Sequence, residues 1–125
     1  MRDPARRRAA ERHGRRAEAL AAWFMRLKGY RVLARRYRTP VGEIDLIVRR
    51  GNAIAFVEVK ARSTRGEAVE AVSASARRRI ARAAALWLAA HPAAAGLDLR
   101  FDVLVVAPPR LPRHLTNAFD ASGIA

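Results

Sequence analysis

Apolar residues near the start of the chain recur with a helical period. Ala17, Leu20, Phe24 and Leu27 fall at i, i+3, i+7 and i+10, predicting a helix from about Gly14 that Gly29 closes. Loose alternation from Tyr30 to Arg38 predicts a first strand, and Thr39-Pro40-Val41-Gly42 a turn. Two more strands read E-I-D-L-I-V-R-R over Glu43–Arg50 and A-I-A-F-V-E-V-K-A over Ala53–Ala61. Between them lies Gly51-Asn52, a pair suited to the primed turns of tight hairpins. Residues 62–72 are a polar connection. Val72, Ala76, Ile80, Ala83 and Trp87 then trace the buried stripe of a second helix over Ser73–His91, stopped by Pro92. Leu99–Ala107 reads as a fourth strand with an apolar second half suited to burial. The tail beyond Pro108, Pro109 and Pro112 offers Leu115, Ala118 and Phe119, enough for one packed turn. The expected architecture is α/β: an α-β-β-β-α-β order with helices flanking a mixed sheet.

At 125 residues the chain suits one domain, expected over residues 14–125. Residues 1–13 carry five arginines and almost nothing apolar except alanine, and read as a flexible basic arm. There is no cysteine, so disulfides, thiolate metal sites and cysteine nucleophiles are excluded. The longest apolar run, Ala83–Ala90, is too short to cross a bilayer, and no apolar segment follows the N-terminal arginines as in a secretory signal. A cytoplasmic protein with no membrane partner is expected. Twenty-five basic residues against eleven acidic ones give a net charge of +14. Such a balance favours a polyanionic partner, nucleic acid above all, although arginine and alanine are abundant throughout.

The hairpin register follows from its turn. With Gly51-Asn52 as a two-residue loop, Arg50 pairs with Ala53, Asp45 lies opposite Glu58, and Glu43 opposite Lys60. All four side chains then share one face. Two carboxylates about 5 Å apart repel by roughly 3 kcal/mol at an effective dielectric near 20. A divalent cation between them reverses that sign, and hard ions such as Mg²⁺ or Mn²⁺ take carboxylate oxygens and substrate phosphates together. A solvated, salt-bridged face is the commonplace reading of E-x-K on a strand. Against it stand the apolar flanks Val57 and Val59, the opposing Asp45, and the rarity of lysine: only Lys28 and Lys60 among 25 basic residues.

Gly42-Glu43-Ile44-Asp45-Leu46-Ile47, followed by Phe56-Val57-Glu58-Val59-Lys60-Ala61-Arg62, resembles the YraN-like family of small bacterial proteins. That family belongs to the PD-(D/E)xK nuclease superfamily and is similar to archaeal Holliday junction resolvases. The resemblance covers residues 14–120 and implies a restriction-endonuclease-like core. It also implies metal-dependent hydrolysis of DNA, branched or otherwise structured, with Mg²⁺ or Mn²⁺ as cofactor. By position, Asp45 and Glu58 are the implied metal ligands, Lys60 the catalytic lysine, and Glu18 the helix carboxylate that completes the catalytic set. Related resolvases act as dimers, which leaves room for a homodimer. Ile44 stands where the superfamily name has proline, and Ala76 where many relatives carry lysine, so the second helix is not expected to supply a lysine.

Arg62, Arg65, Arg77, Arg78 and Arg79 follow the motif or open the second helix, and are candidates for cradling phosphates. A solvated basic face is the equal alternative. Trp23 and Trp87 are expected in the core or an interface; His13, His91 and His114 lack ligand spacing; Asp102 is expected to pair with an arginine. Two other functions stay open: a non-catalytic module that keeps the nuclease fold to bind DNA or RNA, and a basic scaffold docking acidic surfaces through residues 1–13.

Overall fold

The computed structural model describes residues 4–61 and 72–119, with side chains from Gly14 onward. Helix α1 (Pro4–Leu27) is followed by strands β1 (Arg31–Thr39), β2 (Gly42–Arg50) and β3 (Ala53–Lys60). Helix α2 (Ala74–Ala90) and a 3-10 turn (Pro92–Ala94) then lead to β4 (Asp98–Val105) and β5 (Arg113–Phe119). The expected α-β-β-β-α-β order is present, extended by one strand, and the architecture is consistent with a restriction-endonuclease-like core. Strand order is β1-β2-β3-β4-β5. Only the β3–β4 pair is parallel, bridged by the α2 crossover, so the sheet is mixed.

Helix α1 begins at Pro4, so the expected flexible arm is helical from that residue. Arginine and alanine are strong helix formers and need no apolar stripe to extend a helix. Its buried face also differs from the expected one. Ala17, Ala21, Ala22 and Met25 pack on the sheet, Leu20 and Phe24 lie at the margin, and Leu27 and Trp23 are exposed. Small alanines admit close approach to the strands, which turns the larger residues aside. Gly29, at φ 89°, ends the helix as expected: Tyr30 N–H donates to Met25 O and Gly29 N–H to Arg26 O, the Schellman pattern.

Ser73 caps α2, its hydroxyl accepting from Ala76 N–H at 3.1 Å. Ile80, Ala83 and Trp87 are buried as their spacing predicts. They seal one core with Phe56, Phe101 and Phe119, while α1 seals the other over Leu46, Val48, Val57 and Leu104. The tail departs from expectation. It is a strand rather than a packed turn, interrupted where Asn117 (φ 52°) shifts the register.

Candidate active site at a forked hairpin

Leu46 pairs with Val57 and Arg50 with Ala53, the register that a two-residue Gly51-Asn52 loop dictates. Gly51 takes φ 59° at the first loop position, as a II′ turn requires. The β2–β3 ladder runs only as far as Leu46–Val57. One residue further on, Asp45 Oδ2 accepts the Val59 N–H at 2.8 Å, a carboxylate standing where a strand carbonyl would be. From there the strands part. Gly42, Glu43 and Ile44 pair with β1, while Glu58, Val59 and Lys60 pair with β4.

The period-two alternation also breaks at Asp45. Ile44 joins the α2 core and Leu46 the α1 core, although they are two residues apart. Across from Asp45 on β1, between the Arg35–Leu46 and Tyr37–Ile44 pairs, Arg36 sits at φ 51°. A left-handed arginine inside a strand is strained, and such strain gathers at functional positions.

A recess of about 210 Å³ opens beside this fork, lined by Glu43, Glu58 and Lys60 and roofed by Ala76, Arg79 and Ile80 of α2. Lys60 Nζ lies 3.2 Å from Glu58 Oε1. Burial, and then the Glu58 carboxylate, push the Asp45 carboxyl up to about 7 against the backbone hydrogen bond that opposes the shift. Burial raises Glu58 too, opposed by Lys60 and reinforced by Glu43 and Glu18. Glu18 is raised by burial, opposed by Arg36 and reinforced by Glu43. Glu18, Glu43, Asp45 and Glu58 sit within electrostatic reach of one another. The expected Asp45–Glu58 and Glu43–Lys60 cross-strand pairs do not form, because the ladder ends at Leu46–Val57 and the strands part there. Buried carboxyls that repel one another cost stability unless a cation joins them.

Glu18 approaches from α1 but is held by Arg36. Its Oε2 is 2.8 Å from Arg36 Nε, yet out of line with the N–H, so this buried oxygen has no hydrogen-bond partner. Among the described residues, no group of three or more histidines or carboxylates is placed to hold a metal ion. Mg²⁺ does not demand one: it is commonly held by one or two carboxylates, with waters and substrate phosphate completing the shell. Asp45 and Glu58 fit that requirement with hard oxygen donors, Glu58 sharing its charge with Lys60 while Glu18 is engaged by Arg36.

Of the arginines expected at phosphates, Arg79 lines the recess and Arg78 is exposed on α2. Arg77 is committed elsewhere: its Nε donates to Val72 O at 3.0 Å and its guanidinium lies 5.3 Å from the Phe119 ring centroid. Its early position in α2 turns it toward β5, a strand the sequence pattern did not reveal. Arg62 and Arg65 lie outside the described residues.

A second polar cluster escaped the sequence reading. Asp102 is fully buried and, as expected, is paired with an arginine, Arg100, at 2.8 Å. It also accepts from Asn117 N–H at 2.9 Å and lies 2.6 Å from His114 Nε2. Lys28 Nζ is 2.7 Å from His114 Nδ1. An ammonium can only donate, so Nδ1 accepts and Nε2 carries the proton toward Asp102. Burial alone would raise Asp102, but its hydrogen bonds from His114, Arg100 and Asn117 outweigh it and hold the carboxyl below its usual range. The rarity of lysine was the available signal: Lys28 and Lys60 both sit in such polar clusters.

Fold and site together define an α/β protein, consistent with a restriction-endonuclease-like core, with a half-buried carboxyl pair at a forked hairpin. The chain belongs to the Uncharacterised protein family UPF0102, whose model matches residues 17–106. It is 58% identical to a UPF0102 protein of Methylorubrum extorquens (strain PA1) over 98% of this chain and 96% of that protein. It is 57% identical to one of Chelativorans sp. (strain BNC1), over 92% and 93%. A relative in Parvibaculum lavamentivorans is 56% identical, over 94% and 88%.

Proposed function

We propose that this protein is a Mg²⁺- or Mn²⁺-dependent endonuclease acting on DNA, with branched or otherwise structured DNA as the favoured substrate. The observation that carries this reading is the fork: two half-buried carboxyls, both raised by desolvation and Asp45 also by Glu58, beside a lysine ammonium. Asp45 and Glu58 would hold the metal, which when bound supplies Lewis acidity and neutralises charge on the phosphodiester. Glu58 keeps the Lys60 ammonium at the recess, where it steadies negative charge developing on the phosphoryl oxygens or orients the attacking water. Val59 N–H fixes one oxygen of the Asp45 carboxylate, which would leave the other for the metal. Glu18 completes the acidic set from α1, and Arg36 holds it there.

The resolvase resemblance suggests a homodimer. Exposed Trp23 and Leu27 on α1 offer apolar surface for one. Among the described residues, no helix is long and apolar enough to cross a membrane. A cytoplasmic setting accords with this reading. A non-catalytic nucleic-acid-binding module is the second reading, favoured by the engagement of Glu18 with Arg36 rather than with a preformed cage. Incubation with junction, flap and duplex DNA in Mn²⁺ tests the proposal. Wild type should nick at least one substrate and Asp45→Ala none; equal nicking by both refutes the assigned chemistry.

A further inference from the structure

Helix α2 carries Arg79 and Arg82 three residues apart, hence on one side. Both border a second, wider cleft of about 400 Å³ between α2 and the Thr39–Gly42 turn. Glu43 and Arg79 line this cleft and the catalytic recess alike, so the two adjoin. Its size falls within the range of pockets that take small organic ligands, enough for about one nucleotide unit.

The charge in the cleft is uncommitted. Arg36 is used by Glu18, Arg38 by Glu43 at 3.4 Å, and Arg77 by Val72 O and the Phe119 ring. Arg79 and Arg82 are exposed, and among the described residues neither forms an ion pair. Glu43 is the acidic residue of the cleft lining, and Arg38 already faces it. Two guanidiniums therefore meet one shared carboxylate.

The cleft wall is fixed in place. Thr39 Oγ1 donates to Gly42 O at 2.7 Å and accepts from Gly42 N–H at 3.0 Å and Val41 N–H at 3.2 Å, which closes the turn on itself. Gly42 then lies directly on the helix backbone: a Cβ there would be 2.2 Å from Arg79 O and 2.7 Å from Arg79 C. Glycine at this position permits contact between turn and helix, and the contact falls at the residue shared by both clefts.

We infer that this second cleft seats the nucleic-acid backbone phosphate next to the scissile one, Arg79 spanning the two phosphates and Arg82 binding the outer one. Pro40 and Val41 give the intervening sugar an apolar wall. The inference rests on the nuclease reading above. Guanidinium forks suit phosphate oxygens, and such contacts hold a strand in place without reading its sequence.

The test is the salt dependence of binding by the full chain to labelled junction and duplex DNA, with Ca²⁺ replacing Mg²⁺ to suppress hydrolysis. Each phosphate contact to duplex contributes about 0.9 to the slope of log affinity against log salt. Arg79→Ala/Arg82→Ala should therefore lower the slope by about 1.8, and weaken low-salt binding by tens of fold. Arg79→Lys/Arg82→Lys should restore most of both. Arg31→Ala/Arg49→Ala, at the far end of the sheet, removes equal charge and should leave the slope nearly unchanged. If the Arg79/Arg82 alanine variant shifts the slope no more than that control, the phosphate seat is overturned. The nuclease reading would survive, because nicking in Mn²⁺ by wild type and Asp45→Ala is scored separately. Failure of wild type to bind any DNA overturns both.

Discussion

Replacing Asp45 with asparagine should make the protein more stable at pH 8. The Asp45 carboxyl is pushed from 3.8 up to about 7 by burial and then by Glu58. At about 1.4 kcal/mol per pH unit, ionising it in the folded state costs at most about 4 kcal/mol relative to the unfolded chain. The folded state binds this proton more tightly than the unfolded state between those two values, so stability falls as pH rises through that window. The penalty is complete above about 7 and absent below 3.8. Asparagine removes the charge, and its carbonyl oxygen can still accept the Val59 N–H that Asp45 accepts at 2.8 Å. Urea denaturation followed by tryptophan fluorescence, with Trp87 buried in the core, measures the difference. Asp45→Asn should gain up to about 4 kcal/mol at pH 8, on the order of 10 °C in Tm, and little at pH 4. Saturating Mn²⁺ should narrow the gap by stabilising wild type alone. An asparagine variant no more stable than wild type at pH 8 would refute the argument, because ionised Asp45 would then carry no penalty from desolvation or from Glu58.

Other consequences follow from the same geometry. Lys60→Met should lower nicking by about 10²–10³ while leaving DNA binding within a few-fold, as expected for a group that acts on developing charge; an equal loss of binding would make Lys60 a docking residue. Asp102→Ala strands Arg100, His114 and the Asn117 N–H around a buried void, and should cost about 3–5 kcal/mol by urea denaturation. A loss below 1 kcal/mol would mean that the cluster is solvated. Gly42→Ala should lower Tm and nicking together, because its Cβ meets Arg79 O at 2.2 Å. Gly14→Ala, with nothing within 4 Å, should be neutral or stabilising by about 0.5–1 kcal/mol.

The hairpin was legible because one two-residue turn sets its register from Arg50–Ala53 as far as Leu46–Val57, one residue short of Asp45 and Glu58. Ser73 and Pro92 likewise marked both ends of α2 through chemistry confined to a few neighbouring residues. What stayed hidden depends on distant partners. Leu27 looked buried by spacing but is exposed, because the alanine face of α1 packs closer to the sheet. The strand β5 was masked by the left-handed Asn117, whose bulge erases the alternation that marks a strand. The Lys28–His114 contact joins residues 86 positions apart and leaves no local pattern. The splay of β2 from β3 at Asp45 was also out of reach: ideal pairing predicts Asp45 directly opposite Glu58, whereas the ladder ends at Leu46–Val57 and a recess opens beyond it.

Calorimetric titration of Mn²⁺ into the purified protein tests the central claim most directly. Wild type should show saturable binding that Asp45→Asn and Glu58→Gln each abolish, with both variants still folded. Identical isotherms for all three proteins, or no binding by wild type, would contradict the account.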